Sequence, residues 1–102
     1  MLNVQLDLQP ETEQRLKKLL AVIQDQEAFA QHLLDYHMAE LKKAILNIRL
    51  DLRQFEDTYH TSTAQFYQQF QDGARDDRED FLRWAGLYEM LCENERRLQE
   101  LT

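Results

Sequence analysis

The sequence predicts a mainly α fold with one β-strand at its N-terminus, a long heptad helix in the middle and a helical hairpin at the C-terminus. Three observations carry that expectation. Leu34, Met38, Leu41, Ile45, Ile48, Leu52, Phe55 and Tyr59 follow one another at alternating steps of 4 and 3, with no Gly or Pro between them. This is the period that keeps apolar side chains on one side of a helix packed along a partner. Trp84, Leu87, Leu91, Asn94, Leu98 and Leu101 make a second such seam with one polar member. The opening MLNVQLDL instead alternates with period two, the pattern of a half-buried strand.

Taken in order, Leu2, Val4, Leu6 and Leu8 would point one way and Asn3, Gln5 and Asp7 the other. A lone strand leaves its backbone groups unpaired, so the simplest completion is the same strand of a second molecule across a two-fold axis. A disordered or helical N-terminus is the competing reading. Pro10 suits the first turn of a helix, where its missing N–H costs nothing. Leu16, Leu19, Leu20 and Ile23 then form an i, i+3, i+4, i+7 stripe, predicting a short amphipathic helix over residues 10–23. Asp25 is placed to cap the next helix, which runs from about Gln26 to Tyr59. Such a helix is roughly 50 Å long at 1.5 Å per residue, so something must lie along its stripe.

Thr61, Ser62 and Thr63 interrupt that helix, and Ser62 with Gln65 forms a capping-box pattern for a short one. Phe66, Tyr67 and Phe70 supply its apolar side, and Gly73 is placed to end it. Asp76 and Glu79 repeat the capping-box spacing and are expected to open the final helix. Its seam would pack on the first as a hairpin or against a second chain. Asn94 would either fix register there or sit at an exposed end. The expected division is therefore a head over residues 1–38 and a helical extension over 39–102. The extension holds the long helix to about 59, a short helix over about 63–72 and a final one over about 77–101.

With 102 residues, 43% apolar content, two Gly and one Pro, the chain is a small helical protein whose elongated parts need a partner. It has no 18-residue apolar run and no signal-peptide pattern, so a cytoplasmic protein with no membrane contact is expected. The single Cys92 fits a reducing compartment. A net charge of −7 argues against a protein that coats nucleic acid, although a local surface could still touch DNA. The charge is uneven. Side chains of residues 1–20 sum to zero, whereas residues 61–102 carry five Arg against nine acids. A basic partner would be better received at the C-terminal end than DNA.

Strand, short helix and long helix over residues 2–38 resemble the ribbon-helix-helix DNA-binding family. The resemblance implies a dimeric head whose paired strands enter the major groove, with Asn3, Gln5 and Asp7 reading base edges. Asn and Gln suit adenine. Asp7 departs from the pattern because a carboxylate repels phosphate, and Asp25-Gln26-Glu27 is acidic where the family grips a phosphate. Arg15, Lys17 and Lys18 would supply phosphate contacts. A ribbon that only dimerises, with no DNA role, remains the plainer alternative.

FEDTYHTSTAQFYQQFQDG followed by DDREDFLRW is similar to the tail of antitoxins from bacterial and archaeal toxin–antitoxin pairs. His60-Thr61 stands where that pattern often has Gly-Met, which would alter the kink. The resemblance implies that the head binds operator DNA and that the tail masks a basic toxin. Phe55, Tyr59, Phe66, Phe70, Trp84 and Tyr88 would be its contact residues. The same aromatics could simply fill a core.

Enzyme and metal readings are poor. His32, Asp35, His37 and Glu40, or Asp57 and His60, do not repeat as the paired motifs of metal bundles. Cys92 lies among Glu89, Glu93 and Glu95, which disfavours a thiolate. No catalytic residue, metal or cofactor is expected. The leading expectation is an antitoxin-like regulator, dimeric or tetrameric, with double-stranded operator DNA and a toxin as partners. The alternative is a non-catalytic helical oligomerisation or scaffold module that binds no DNA.

Overall fold

A computed structural model describes residues 2–102. Four α-helices follow one another: α1 (Pro10–Val22), α2 (Gln26–Tyr59), α3 (Thr63–Gln71) and α4 (Glu79–Leu101). The chain divides into two compact units, one ending at Leu33 and the other spanning Leu34–Thr102. α2 contributes residues to both.

The expected N-terminal strand is absent, and with it the ribbon: residues 2–9 form no regular secondary structure, and no strand occurs among the described residues. Leu2, Val4, Leu6 and Leu8 are 90, 57, 64 and 36% exposed. The physical reason is that a strand is held by the backbone groups of a neighbour, and this chain offers none. Period-two alternation says which side chains would share a face; it does not supply the second strand.

α1 starts where Pro10 predicts, with Gln9 extended at the N-cap and Glu11 and Glu13 in the first turn. Lys17 reaches back to Glu13 at 3.3 Å. None of its residues is buried. Asp25 caps α2 as expected, its Oδ1 accepting the Ala28 N–H at 3.0 Å.

Within Leu34–Thr102 the first seam becomes a core. Leu41, Ile45, Ile48 and Leu52 are buried on α2, and the last three pack with Phe66 of α3 and with Phe81, Trp84, Ala85 and Leu91 of α4. Of the hairpin and second-chain alternatives for α4, the hairpin is found. Arg49 of α2 meets Glu95 of α4 at 3.4 Å, and Phe55 of α2 stacks on Trp84 with centroids 5.5 Å apart. Leu34 lies exposed and Met38 half-buried at the start of the seam, beyond this packing.

The bend between α2 and α3 is held by backbone and side-chain capping. His60 sits at φ +52°, and the Thr61 N–H donates to the Glu56 carbonyl at 3.3 Å, closing a six-residue C-cap. Ser62 Oγ accepts the Gln65 N–H at 3.2 Å, as the sequence predicts, and the Glu56 carboxylate accepts the Thr63 N–H at 2.7 Å. Gly73, at φ +77°, ends α3 in the same manner, with the Ala74 N–H donating to the Gln69 carbonyl at 2.9 Å.

One expected cap is wrong. α4 begins at Glu79 with Arg78 at the N-cap and no side-chain cap bond. Asp76 instead accepts from the Arg78 backbone N–H at 3.1 Å and from its guanidinium at 2.9 Å. An arginine two residues on offers the carboxylate charge-assisted bonds, which outcompete a neutral backbone donor at capping distance.

Candidate interaction surfaces

The C-terminal unit is organised by Trp84, which with Phe66 is fully buried. The two rings lie parallel with centroids 3.9 Å apart, and Tyr59 and Phe81 complete the cluster. The indole N–H donates to Thr63 Oγ1 at 3.0 Å, so the polar end of the ring is satisfied inside the core. Among the described residues no buried side-chain nitrogen or oxygen lacks a partner. Guanidinium groups close the margins: Arg78 lies 4.5 Å and Arg75 5.3 Å from the Phe81 ring centre, and Arg83 5.8 Å from that of Phe55.

These positions bear directly on the six aromatic residues expected to meet a partner. Phe66 and Trp84 are core residues with no surface to offer. Phe55, Tyr59, Phe70 and Tyr88 are half-buried and lie against that core, each with a face or edge outward. Phe81, buried in the same cluster, is absent from the expected set. It lies three residues before Trp84, about one helical turn away, although the seam's alternation of 3 and 4 points to Asp80 instead. Thr63 has no such signal, because the hydroxyl's role depends on an indole 21 residues away.

Two tyrosines bridge elements through carboxylates. Tyr59 donates to Asp80 at 2.6 Å and Tyr67 to Glu89 at 2.7 Å. Each phenol's pKa is raised above its ordinary value, first by the hydrogen bond to that carboxylate and then by desolvation. The hydrogen bonds from Arg78 hold the Asp76 carboxyl down at about 2. Hydrogen bonding to Arg96 likewise lowers Glu93. An open cleft of about 480 Å³ lies between α2 and α4, with Ile45, Leu46 and Leu98 as its apolar lining and Lys42, Arg49 and Glu95 at its polar edge.

The expected DNA-contacting residues all lie in the N-terminal unit. Asn3, Gln5 and Asp7 are exposed on the irregular segment 2–9; Arg15, Lys17 and Lys18 are exposed on α1. The helix separates the cations. Arg15 and Lys18 share a face, whereas Lys17 points about 200° around the axis from Arg15 at ~100° per residue. Arg15 lines a shallow cleft with Thr12, Leu16 and Leu19. Among the described residues, no three His, Cys, Asp or Glu side chains are gathered to hold a metal ion. No described helix is long and apolar enough to cross a membrane.

No protein-family model, curated protein or solved structure matches this chain.

Proposed function

We propose that this chain is a non-catalytic, cytoplasmic regulator of the antitoxin type, which self-associates through its N-terminal unit, contacts operator DNA there, and receives a basic toxin on its acidic C-terminal unit. The observation that carries the reading is the contrast between the units. The C-terminal one closes a core around Trp84, whereas α1 buries none of its residues and leaves Leu19, Leu20 and Val22 exposed beside a segment carrying Leu2, Val4 and Leu6. An apolar surface of that kind is an association surface waiting for a partner. A second copy presents the same side chains and so completes it without any other protein.

The toxin part is supported by charge and by the likeness of residues 55–90 to antitoxin tails. Residues 34–102 carry 14 acids against nine cations. The DNA part is supported by Asn3 and Gln5, whose amides can each make paired contacts to a base edge, and by Arg15 and Lys18 on one face of α1. Asp7 and the acidic start of α2 favour a second reading, an oligomerisation or scaffold module that makes no contact with DNA.

A mobility-shift assay at low salt, using the DNA upstream of the gene, separates the two. With Asn3→Ala and Gln5→Ala the shift should be lost while the solution mass is unchanged. No shift at micromolar protein, alone or with the neighbouring gene product, removes the regulator reading. A neighbouring product that neither co-purifies nor harms cells removes its toxin half.

A further inference from the structure

α1 is the helix with least to hold it. Its 13 residues bury nothing, and Leu16 is the one among them that is even half-buried. Gln9 at its N-cap makes no side-chain cap bond, although its backbone is extended as a capping residue requires, and no cation stands in the last turn. Its C-cap, Ile23, is extended, without the left-handed glycine that closes α3. What favours the helix is confined to Glu11 and Glu13 in the first turn and the exposed Glu13–Lys17 pair. Helices of this length are marginal in water unless something packs on them.

The neighbouring elements show what α1 lacks. α3 is shorter, at nine residues, yet it has the Ser62 cap and buries Thr63 and Phe66. The first turns of α2 are largely exposed as well, but they run without a break into Leu41, Ile45, Ile48 and Leu52, which are buried. Adding residues to an existing helix costs far less than starting one. α1 cannot borrow that nucleus, because Ile23 leaves the helical conformation and residues 23–25 separate it from α2. It must nucleate for itself, and its leucines gain little within the chain in return.

We propose that α1 is a conditional helix, which exchanges between coil and helix in the single chain and is held helical when a second copy covers Leu16, Leu19, Leu20 and Ile23. Resting on the self-association of the N-terminal unit argued above, this coupling makes helix formation and assembly one equilibrium. Part of the contact's strength then goes into ordering the helix. Because only the helical fraction is competent to associate, any substitution that changes the helical tendency of α1 changes the apparent affinity, even where it touches no partner. The core around Trp84 lies outside this equilibrium, since no residue of α1 contributes to it.

The experiment follows the full chain over one concentration series, by sedimentation equilibrium for mass and by far-UV circular dichroism for helix. Helical ellipticity should rise in step with mass while the near-UV signal of Trp84 stays constant. Two exposed positions outside the leucine stripe, Gln9 and Ala21, set the helical tendency without touching the contact. Ala21 lies about 150° around α1 from the middle of the stripe, at ~100° per residue. Ala21→Gly should weaken association roughly fivefold, and Gln9→Ser, which supplies the missing cap, should tighten it by a similar factor. Mass that rises at constant ellipticity overturns the conditional helix and leaves self-association standing. So does an Ala21→Gly chain that associates as the parent does. A chain that stays monomeric at every concentration overturns both.

Discussion

Asp76 shows how much one side chain can redirect. Its carboxylate is spent on Arg78, through the backbone N–H and the guanidinium together, and the start of α4 is left without a side-chain cap. Because these bonds need the charged form, the folded-state pKa falls from 3.8 to about 2. A carboxyl depressed on folding contributes stability that is fully present above its unfolded value and is lost as pH falls through the folded one. The loss attributable to Asp76 therefore lies between about pH 4 and pH 2. Both partners are more than half exposed, so the contribution is small and screened. Denaturant titrations over this window should show a shallower acid decline for Asp76→Asn than for the wild-type chain. Equal slopes would show that the pairing is absent in solution. Spacing could not reveal this arrangement. Asp76 and Glu79 have the separation of a capping box, and the competing donor lies on Arg78, a residue with no part in that pattern.

At the scale of elements, helices were legible where the signals are local and periodic. The ends of α2, the Ser62 cap and the Gly73 stop all follow from residues within a turn of the feature they create. The strand was not legible in the same sense, since alternation is local but pairing is not. Nor does a heptad period say whether a face is covered. Trp84 and Phe66 carried the same apolar signal as Tyr88 and Phe70, and only the fold separates core from margin. The α2–α3 bend gives a sharper case. His60 stands where the antitoxin-like pattern often has glycine, and it adopts φ +52° all the same, with the Thr61 N–H bonded to the Glu56 carbonyl across the bend. A non-glycine residue in this region costs roughly 1–2 kcal/mol. Glycine removes that strain but raises the entropy of the unfolded chain, so His60→Gly should stabilise by about 0.5–1 kcal/mol. Chemical denaturation reads this directly. A destabilised His60→Gly chain would show that the imidazole makes a contact stronger than the strain.

The whole molecule places its buried core and its densest run of exposed apolar side chains in different stretches of chain. Every residue of the main buried cluster lies between Ile45 and Leu91. The stretch up to Leu33 contributes none of them, yet it holds eight of the large exposed apolar side chains from Leu2 to Leu33. Substitutions in α1 should therefore separate folding from assembly. Leu19→Glu with Leu20→Glu replaces two exposed leucines, 47 and 45% accessible, with charge. The cost to the folded monomer should stay within about 0.5 kcal/mol, the range of ordinary surface changes. The Trp84 near-UV signal should be unchanged. The same double substitution should reduce the solution mass of a self-associating chain, because it places carboxylates in the apolar surface that a second copy would cover. Light scattering and thermal melts on one preparation distinguish the outcomes. A lower melting temperature at unchanged mass would mean that α1 packs within its own chain. A lower mass with an intact Trp84 signal would mean that its stripe belongs to the assembly.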